Sequence, residues 1–183
     1  MLKLTDNPPL LSPTFAAIGD VPGIWWIGHA KARFEKAFAW DLDARKIPYF
    51  LPMIPQTRFS GGRKRQLMMP LFQGYVFFAG DVYARYEALA TNRLANVIEV
   101  KDQKQIVAEL ASIHRVLCAG KLQLDPYPFA AIGNRVRVAS GPLQGVEGIV
   151  IERKGVNTRL VLQVSMLGQG AAVEIEPSLL EAT

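Results

Sequence analysis

Apolar residues along the chain recur at two spacings, and the spacings mark out the elements. Met1–Gly23, punctuated by Pro8, Pro9, Pro13 and Pro22, has no period and predicts a flexible leader. Ile24–Ala30 (IWWIGHA) is a short run of aromatic and branched residues and predicts a strand. Within Lys31–Lys46, Phe34, Ala37, Phe38 and Leu42 fall on one helical face, and Pro48 ends the helix. Tyr49–Met53 and Gln56–Phe59 read as extended, separated by Pro52 and Pro55. Ser60-Gly61-Gly62 then signals a turn, and Arg63-Lys64-Arg65 follows at once, so a hairpin with a charged tip is expected.

Tyr75–Ala79 (YVFFA) is apolar at consecutive positions, and such a strand needs cover on both faces. Asp81–Asn92 opens with an N-cap residue and spaces Val82, Tyr86 and Leu89 as the stripe of a second helix. Asn96–Val100 is a strand. Asp102 with Gln105 resembles a capping box ahead of a third helix, whose stripe is Ile106, Leu110, Ile113 and Leu117. Ala119–Ala131, with Gly120, Pro126 and Pro128, has no helical period and reads as a linker. Beyond it lie short strands: Arg135–Val138, Gly148–Arg153, Thr158–Val164 and Ala171–Ile175, with turns at Gly141-Pro142 and around Gly155. Some fifty residues of such strands suggest a small closed barrel, because closure hides the edges of an open sheet. The expected division is therefore a leader over 1–23, a mixed domain over 24–118, a linker over 119–131 and a barrel over 132–183.

Composition narrows the function. Half of the 183 residues are hydrophobic, which excludes a disordered chain. No apolar run reaches the roughly 18 residues of a membrane span, and the first residues lack the basic start and unbroken apolar run of a signal peptide. One cysteine, Cys118, and two histidines, His29 and His114, make neither an internal disulfide nor a metal cluster, so a reducing, cytoplasmic setting without metal or cofactor is expected. No paired carboxylates or nucleophile–base set stand at a defensible spacing. Gly141, Gly145 and Gly148 lack the following Lys-Ser/Thr of a phosphate loop. An enzyme is not expected. Charge supplies the positive clue: residues 24–118 carry 14 Lys and Arg against 8 acids, a net of +6, whereas residues 119–183 carry 6 of each. No acid occurs between Asp43 and Asp81, where Arg45, Lys46, Arg58, Arg63, Lys64 and Arg65 all fall. Such a stretch suits a phosphate-rich partner or a solvated basic face.

Two sets of motifs sharpen this. Gly133-Asn134-Arg135-Val136-Arg137-Val138-Ala139-Ser140-Gly141-Pro142-Leu143-Gln144-Gly145-Val146-Glu147-Gly148-Ile149-Val150 resembles a KOW motif: strand, Gly-Pro turn, tight bend, return strand. Trp25-Trp26-Ile27, Phe34-Glu35, Leu51-Pro52-Met53 and Pro70-Leu71-Phe72-Gln73-Gly74-Tyr75-Val76-Phe77-Phe78 together resemble the N-terminal domain of the NusG family of transcription elongation factors. The Leu51–Ile54 and Pro70–Phe72 segments are similar to the specialised RfaH branch of that family.

The resemblance implies an α+β chain: an N-terminal α/β sandwich with a mainly antiparallel sheet, and a C-terminal SH3-like KOW barrel. It implies a monomeric factor that rides on RNA polymerase, laying an apolar patch on the clamp helices of the largest subunit and suppressing pausing or termination. Carried over, that patch is His29, Phe72, Tyr75, Phe77 and Ile98, with Tyr86 where RfaH touches the second large subunit. Phe77 reads equally as core, whereas Phe72 and Tyr75, beside a Gly turn, read as interface anchors. Lys31, Arg33, Arg63, Lys64, Arg65 and Arg93 would face upstream or non-template DNA through phosphates. Met166, Leu167 and Gln169 would carry the KOW partner contact, in relatives the ribosome or termination factor Rho, although Leu167 replaces a phenylalanine of general NusG. An RNA- or ribosome-binding KOW assembly protein is the alternative, and the neutral charge of the barrel region argues against it.

Overall fold

A computed structural model describes residues 7–60, 63–120, 125–127, 133, 135–154, 157–175 and 179–182. Compactness divides the chain into two units, Met1–Gln103 and Lys104–Thr183. In the first, β1 (Ile24–Ala30) pairs antiparallel with both β5 (Tyr75–Gly80) and β6 (Leu94–Glu99), and β2 (Tyr49–Phe50) adds to β5. The order is β2-β5-β1-β6. Helices α1 (Glu35–Ala44) and α2 (Val82–Ala90) lie over one face of this sheet. There Trp26, Ala30, Val76, Phe78 and Tyr49 form a core with Phe38, Ala39 and Leu42 of α1 and Ala88 of α2. The doubly apolar pattern of Tyr75–Ala79 is explained: Val76 and Phe78 face this core, and Phe77 and Ala79, on the other face, are also buried.

Helix α1 starts later than its stripe suggests. Arg33 takes the left-handed conformation (φ 67°), which interrupts a helix, so the segment from Lys31 becomes a turn closed by the Phe34 amide on the Lys31 carbonyl at 3.0 Å. Asp81 caps α2 as expected, its Oδ1 accepting from the Ala84 amide at 2.9 Å. The hairpin also forms: β3 (Met53–Ser60) pairs with β4 (Arg63–Pro70) from Met53↔Pro70 to Ser60↔Arg63 as a two-stranded ribbon. Its turn, Gly61-Gly62, lies outside the described residues.

Two expectations change. Within the expected leader, Leu10–Ser12 lie along β2. The Ser12 amide donates to the Tyr49 carbonyl (3.0 Å), Ser12 Oγ accepts from the Tyr49 amide (2.9 Å), and the Leu51 amide reaches the Leu10 carbonyl (2.7 Å). Leu11, Ile18 and Val21 are buried. An edge strand exposes unpaired donors and acceptors, and an extended segment needs no helical period to satisfy them. The second change is the orientation of α2. Val82, Tyr86 and Leu89, expected to pack, are 69%, 70% and 40% exposed, and the helix instead turns Ala84 and Ala88 to the sheet. A Cβ added at Gly80 would sit 2.5 Å from that of Ala84, so the approach is too close for the larger stripe.

Tyr49 yields a stability prediction. Its ring is fully buried and its hydroxyl has no hydrogen-bond partner among the described residues. Burial, with Asp43 adding to it, pushes the phenol above its ordinary range. The fold therefore holds Tyr49 neutral, while the unfolded chain ionises above about pH 10, so stability falls as pH rises through that value. Tyr49→Phe is expected to leave stability at pH 7 unchanged or raised by about 1 kcal/mol, and to flatten the alkaline loss. Denaturant midpoints at both pH values check this, and a loss above about 1 kcal/mol at neutral pH would reveal a partner for the hydroxyl.

In the second unit, α3 (Gln103–Ala119) is followed by β7 (Asp125–Tyr127), β8 (Arg135–Val138), β9 (Glu147–Lys154), β10 (Asn157–Val164), β11 (Gln169–Ile175) and β12 (Leu180–Ala182). All pairings are antiparallel, in the order β12-β8-β9-β10-β11-β7. Strand β7 falls inside the expected linker and pairs with β11, and the remainder of that stretch, 121–124 and 128–131, is outside the described residues, as are Asn134 and the Gly155 turn. The expected strands are present, and β12 joins them by pairing with β8. Ile106, Leu110, Ile113 and Val116 are the buried stripe of α3.

Candidate functional site

Opposite residues in an antiparallel pair share a face, so the register places Ile27 beside Phe77 and Ile98, and His29 beside Tyr75 and Asn96. This face, away from α1 and α2, grades along β1. Trp25, Ile27, Phe50 and Phe77 are buried, Ile98 and Tyr75 are half-exposed, and His29 is exposed. His29 and Tyr75 stack, with ring centroids 5.1 Å apart and planes 21° from parallel. Phe72, expected at the surface, is only 1% exposed and meets Phe77 edge-on at 6.0 Å, while Phe77 lies against Phe50 at 6.3 Å. The turn before β5 points Phe72 inward and Tyr75 outward. His29, Tyr75 and Ile98 are thus together and accessible, with Phe72 and Phe77 buried on the same face.

Tyr86 is not with them. It is 70% exposed on α2, the helix that packs on the opposite face of the sheet, beside exposed Val82, Tyr83 and Leu89. Arg85 on the same helix sits over the Trp26 ring at 5.5 Å, and Glu87 pairs with Arg45 at 3.5 Å.

The basic residues separate by what already holds them. Arg93 Nε is 2.9 Å from Asp41 Oδ2, and its guanidinium lies 5.0 Å from the centroid of the Phe34 ring. Lys31 Nζ donates to both the carbonyl and Oδ1 of Asn92, each at 2.8 Å. Both cations therefore tie β1, α1 and the end of α2 together. Arg33 and Lys64 are exposed with no ion pair among the described residues. Arg63 and Arg65 flank Lys64 on β4 at the end of the hairpin ribbon.

In the second unit, Met166 (42% exposed) and Leu167 lie on a short 3-10 turn, Ser165–Leu167, ended by Gly168 in the left-handed conformation (φ 61°), with Gln169 opening β11. Glu109 of α3 accepts from Ser165 at both its amide (3.1 Å) and Oγ (2.5 Å). Arg115 donates to the Gln144 carbonyl at 2.7 Å. A cleft of about 460 Å³ opens between α3 and the sheet, lined by Gln105, Ser112, Arg135 and Gln163 among others. His114, whose burial lowers its pKa, has its Nε2 3.4 Å from Cys118 Sγ.

Comparison with known proteins decides the family. The family model described as "Transcription termination factor nusG" matches residues 23–127, more than half of the chain. The chain belongs to the NusG family. That family comprises transcription termination and antitermination factors and not enzymes. The chain is 25% identical over 180 residues to the transcription termination/antitermination protein NusG of Treponema pallidum (strain Nichols), covering 86% of this chain and 97% of the relative. Among solved structures it is similar to one described as a domain interaction in Thermotoga maritima NusG (16% identity, TM-score 0.47, 87% of this chain and 96% of that one). It is also similar to a chain of an MjSpt4:Spt5 complex (14% identity, TM-score 0.27, 87% and 97%). The expected family and α+β class hold, and no described helix is long and apolar enough to cross a membrane.

Sequence reasoning missed Glu35, which is only 9% exposed and accepts the Gly74 amide at 2.8 Å. Its signal was the Phe34-Glu35 motif, which gave Glu35 no role of its own. Nothing in the sequence links it to a turn 39 residues away.

Proposed function

We propose that this NusG-family chain is a cytoplasmic elongation factor that docks on the clamp helices of RNA polymerase through the face bearing His29, Tyr75 and Ile98, and that it suppresses pausing or termination. The observation that carries this reading is the stacked His29–Tyr75 pair, accessible at the end of an otherwise buried apolar sheet face. Aromatic side chains with one wet edge are frequent anchors of protein interfaces. Tyr86, on the other side of the sheet, serves a separate contact with the second large subunit. The domain over 24–118 docks, and the KOW domain over 132–183, joined through 119–131, recruits a partner of the ribosome or Rho class through Met166, Leu167 and Gln169. The factor acts as a monomer. Capture of core polymerase subunits by the tagged chain, persisting after nuclease digestion, is the expected result. Capture that disappears with the nucleic acid would favour an RNA- or ribosome-binding KOW protein.

The hairpin ribbon supplies the DNA contact in this reading. Exposed Lys64, with Arg63 and Arg65 beside it and no acid between Asp43 and Asp81, meets phosphates without reading bases. Replacing Arg63, Lys64 and Arg65 by Ala is expected to reduce the salt slope of DNA crosslinking in elongation complexes by about 0.7–0.9 for each phosphate no longer neutralised, with polymerase docking retained. An unchanged slope would return the tip to the status of a solvated surface.

A further inference from the structure

We propose that Glu35 is the positioning residue of the His29–Tyr75 face, holding the turn that presents it; this rests on the docking reading above. The turn from Leu71 to Tyr75 has Gly74 at its hinge, in the left-handed region (φ 83°). Both polar groups of Gly74 are held by other elements. Its amide donates to Glu35 Oε1 of α1 at 2.8 Å, and its carbonyl accepts from the Ala30 amide of β1 at 2.8 Å. Within the turn, the Tyr75 amide reaches the Phe72 carbonyl at 3.1 Å. The turn thereby sends Phe72 into the core and Tyr75 outward onto His29. A Cβ built at Gly74 would lie 3.5 Å from the His29 ring, so carboxylate, turn and the two rings form one contiguous assembly.

Burying a carboxylate is costly unless it is hydrogen-bonded, and the first turn of α1 only partly offsets that cost through the helix dipole. The Gly74 amide is the partner that justifies it. Without the carboxylate the amide would be unsatisfied, and the Gly74 end of the turn would be held only through its carbonyl on Ala30 and the Tyr75 amide on Phe72. The β1–β5 ladder runs from Ile24↔Gly80 to His29↔Tyr75, and the turn held by Glu35 adjoins only its last pair, His29↔Tyr75. The effect of removing Glu35 is therefore local to the exposed end of the face, which separates positioning from general stability.

The test combines nuclear Overhauser effects in the full chain with titrations of core RNA polymerase. Glu35→Ala is expected to weaken the effects between the His29 and Tyr75 rings while keeping those across β1 and β5 from Gly28↔Val76 to Ile24↔Gly80, and to weaken polymerase binding about tenfold. Glu35→Gln, which keeps an acceptor oxygen, is expected to restore the ring–ring effects and to bind within about twofold of the unaltered chain. In the Tyr75→Ala background, Glu35→Ala should add little, because the ring it positions is gone. Ring–ring effects of unchanged strength in Glu35→Ala, or affinity losses from Glu35→Ala and Tyr75→Ala that multiply, would overturn the proposal. Polymerase binding unaffected by Tyr75→Ala would overturn the docking reading itself and, with it, the significance given to Glu35.

Discussion

Phe72→Ala is expected to destabilise the protein by about 3–5 kcal/mol, the cost of emptying a core position and leaving a cavity. The ring is 1% exposed and lies edge-on to Phe77, which is fully buried and in turn lies against Phe50. Removing it leaves Phe77 without one wall, and an interior packed to crystal-like density relaxes only partly around such a gap. Native domains are stable by only about 5–15 kcal/mol, so this substitution takes up a large share of the margin. Polymerase binding would then fall because less of the chain is folded, not because a docking surface has been cut. Phe72→Leu, which fills most of the volume, should recover much of the loss. Denaturant unfolding at pH 7 measures both. A cooperative transition displaced by less than about 1 kcal/mol for Phe72→Ala would show that the ring is not part of the core.

Replacing His29 and Tyr75 together by Ala is expected to do the opposite: leave the melting temperature nearly unchanged and weaken core polymerase binding by about 2 kcal/mol or more, some thirtyfold. His29 is exposed and Tyr75 half-exposed, so truncation opens no internal cavity. Their stacked rings form the accessible aromatic surface beside Ile98, and anchors of this kind dominate binding energies. Tyr86→Ala supplies an independent comparison. Because α2 packs on the opposite side of the sheet, its effect should add to that of the pair instead of merging with it. Titrations of the double and triple variants decide the matter, and full affinity in the His29/Tyr75 double variant would sink the docking reading.

Local sequence determined those features that rest on local chemistry. The strand at Ile24–Ala30, the doubly covered strand from Tyr75, the Asp81 cap, the charged hairpin and the succession of short C-terminal strands follow from residue type and spacing within a few neighbours. The ordered motifs from Trp25-Trp26 to Phe78 likewise carried the family. Only the tertiary structure decided which side of an element faces inward. The stripe on α2 predicted burial for Val82, Tyr86 and Leu89, yet the helix meets Gly80 closely at Ala84 and buries Ala88, so the large residues face outward. Phe72 and Tyr75 look alike in sequence, and a turn pinned from α1 and β1 sends one inward and the other out. Arg93 and Lys31 stood equally with Arg33 as DNA-facing candidates, and the fold brings Asp41 and Asn92, distant in sequence, to the first two. The Pro-rich segment had no period to read, because what holds Leu10–Ser12 is the edge of β2. Periodicity reports that a residue is apolar and on which face of its own element it lies; which face is covered, and which charge is neutralised, depends on partners dozens of positions away in the chain.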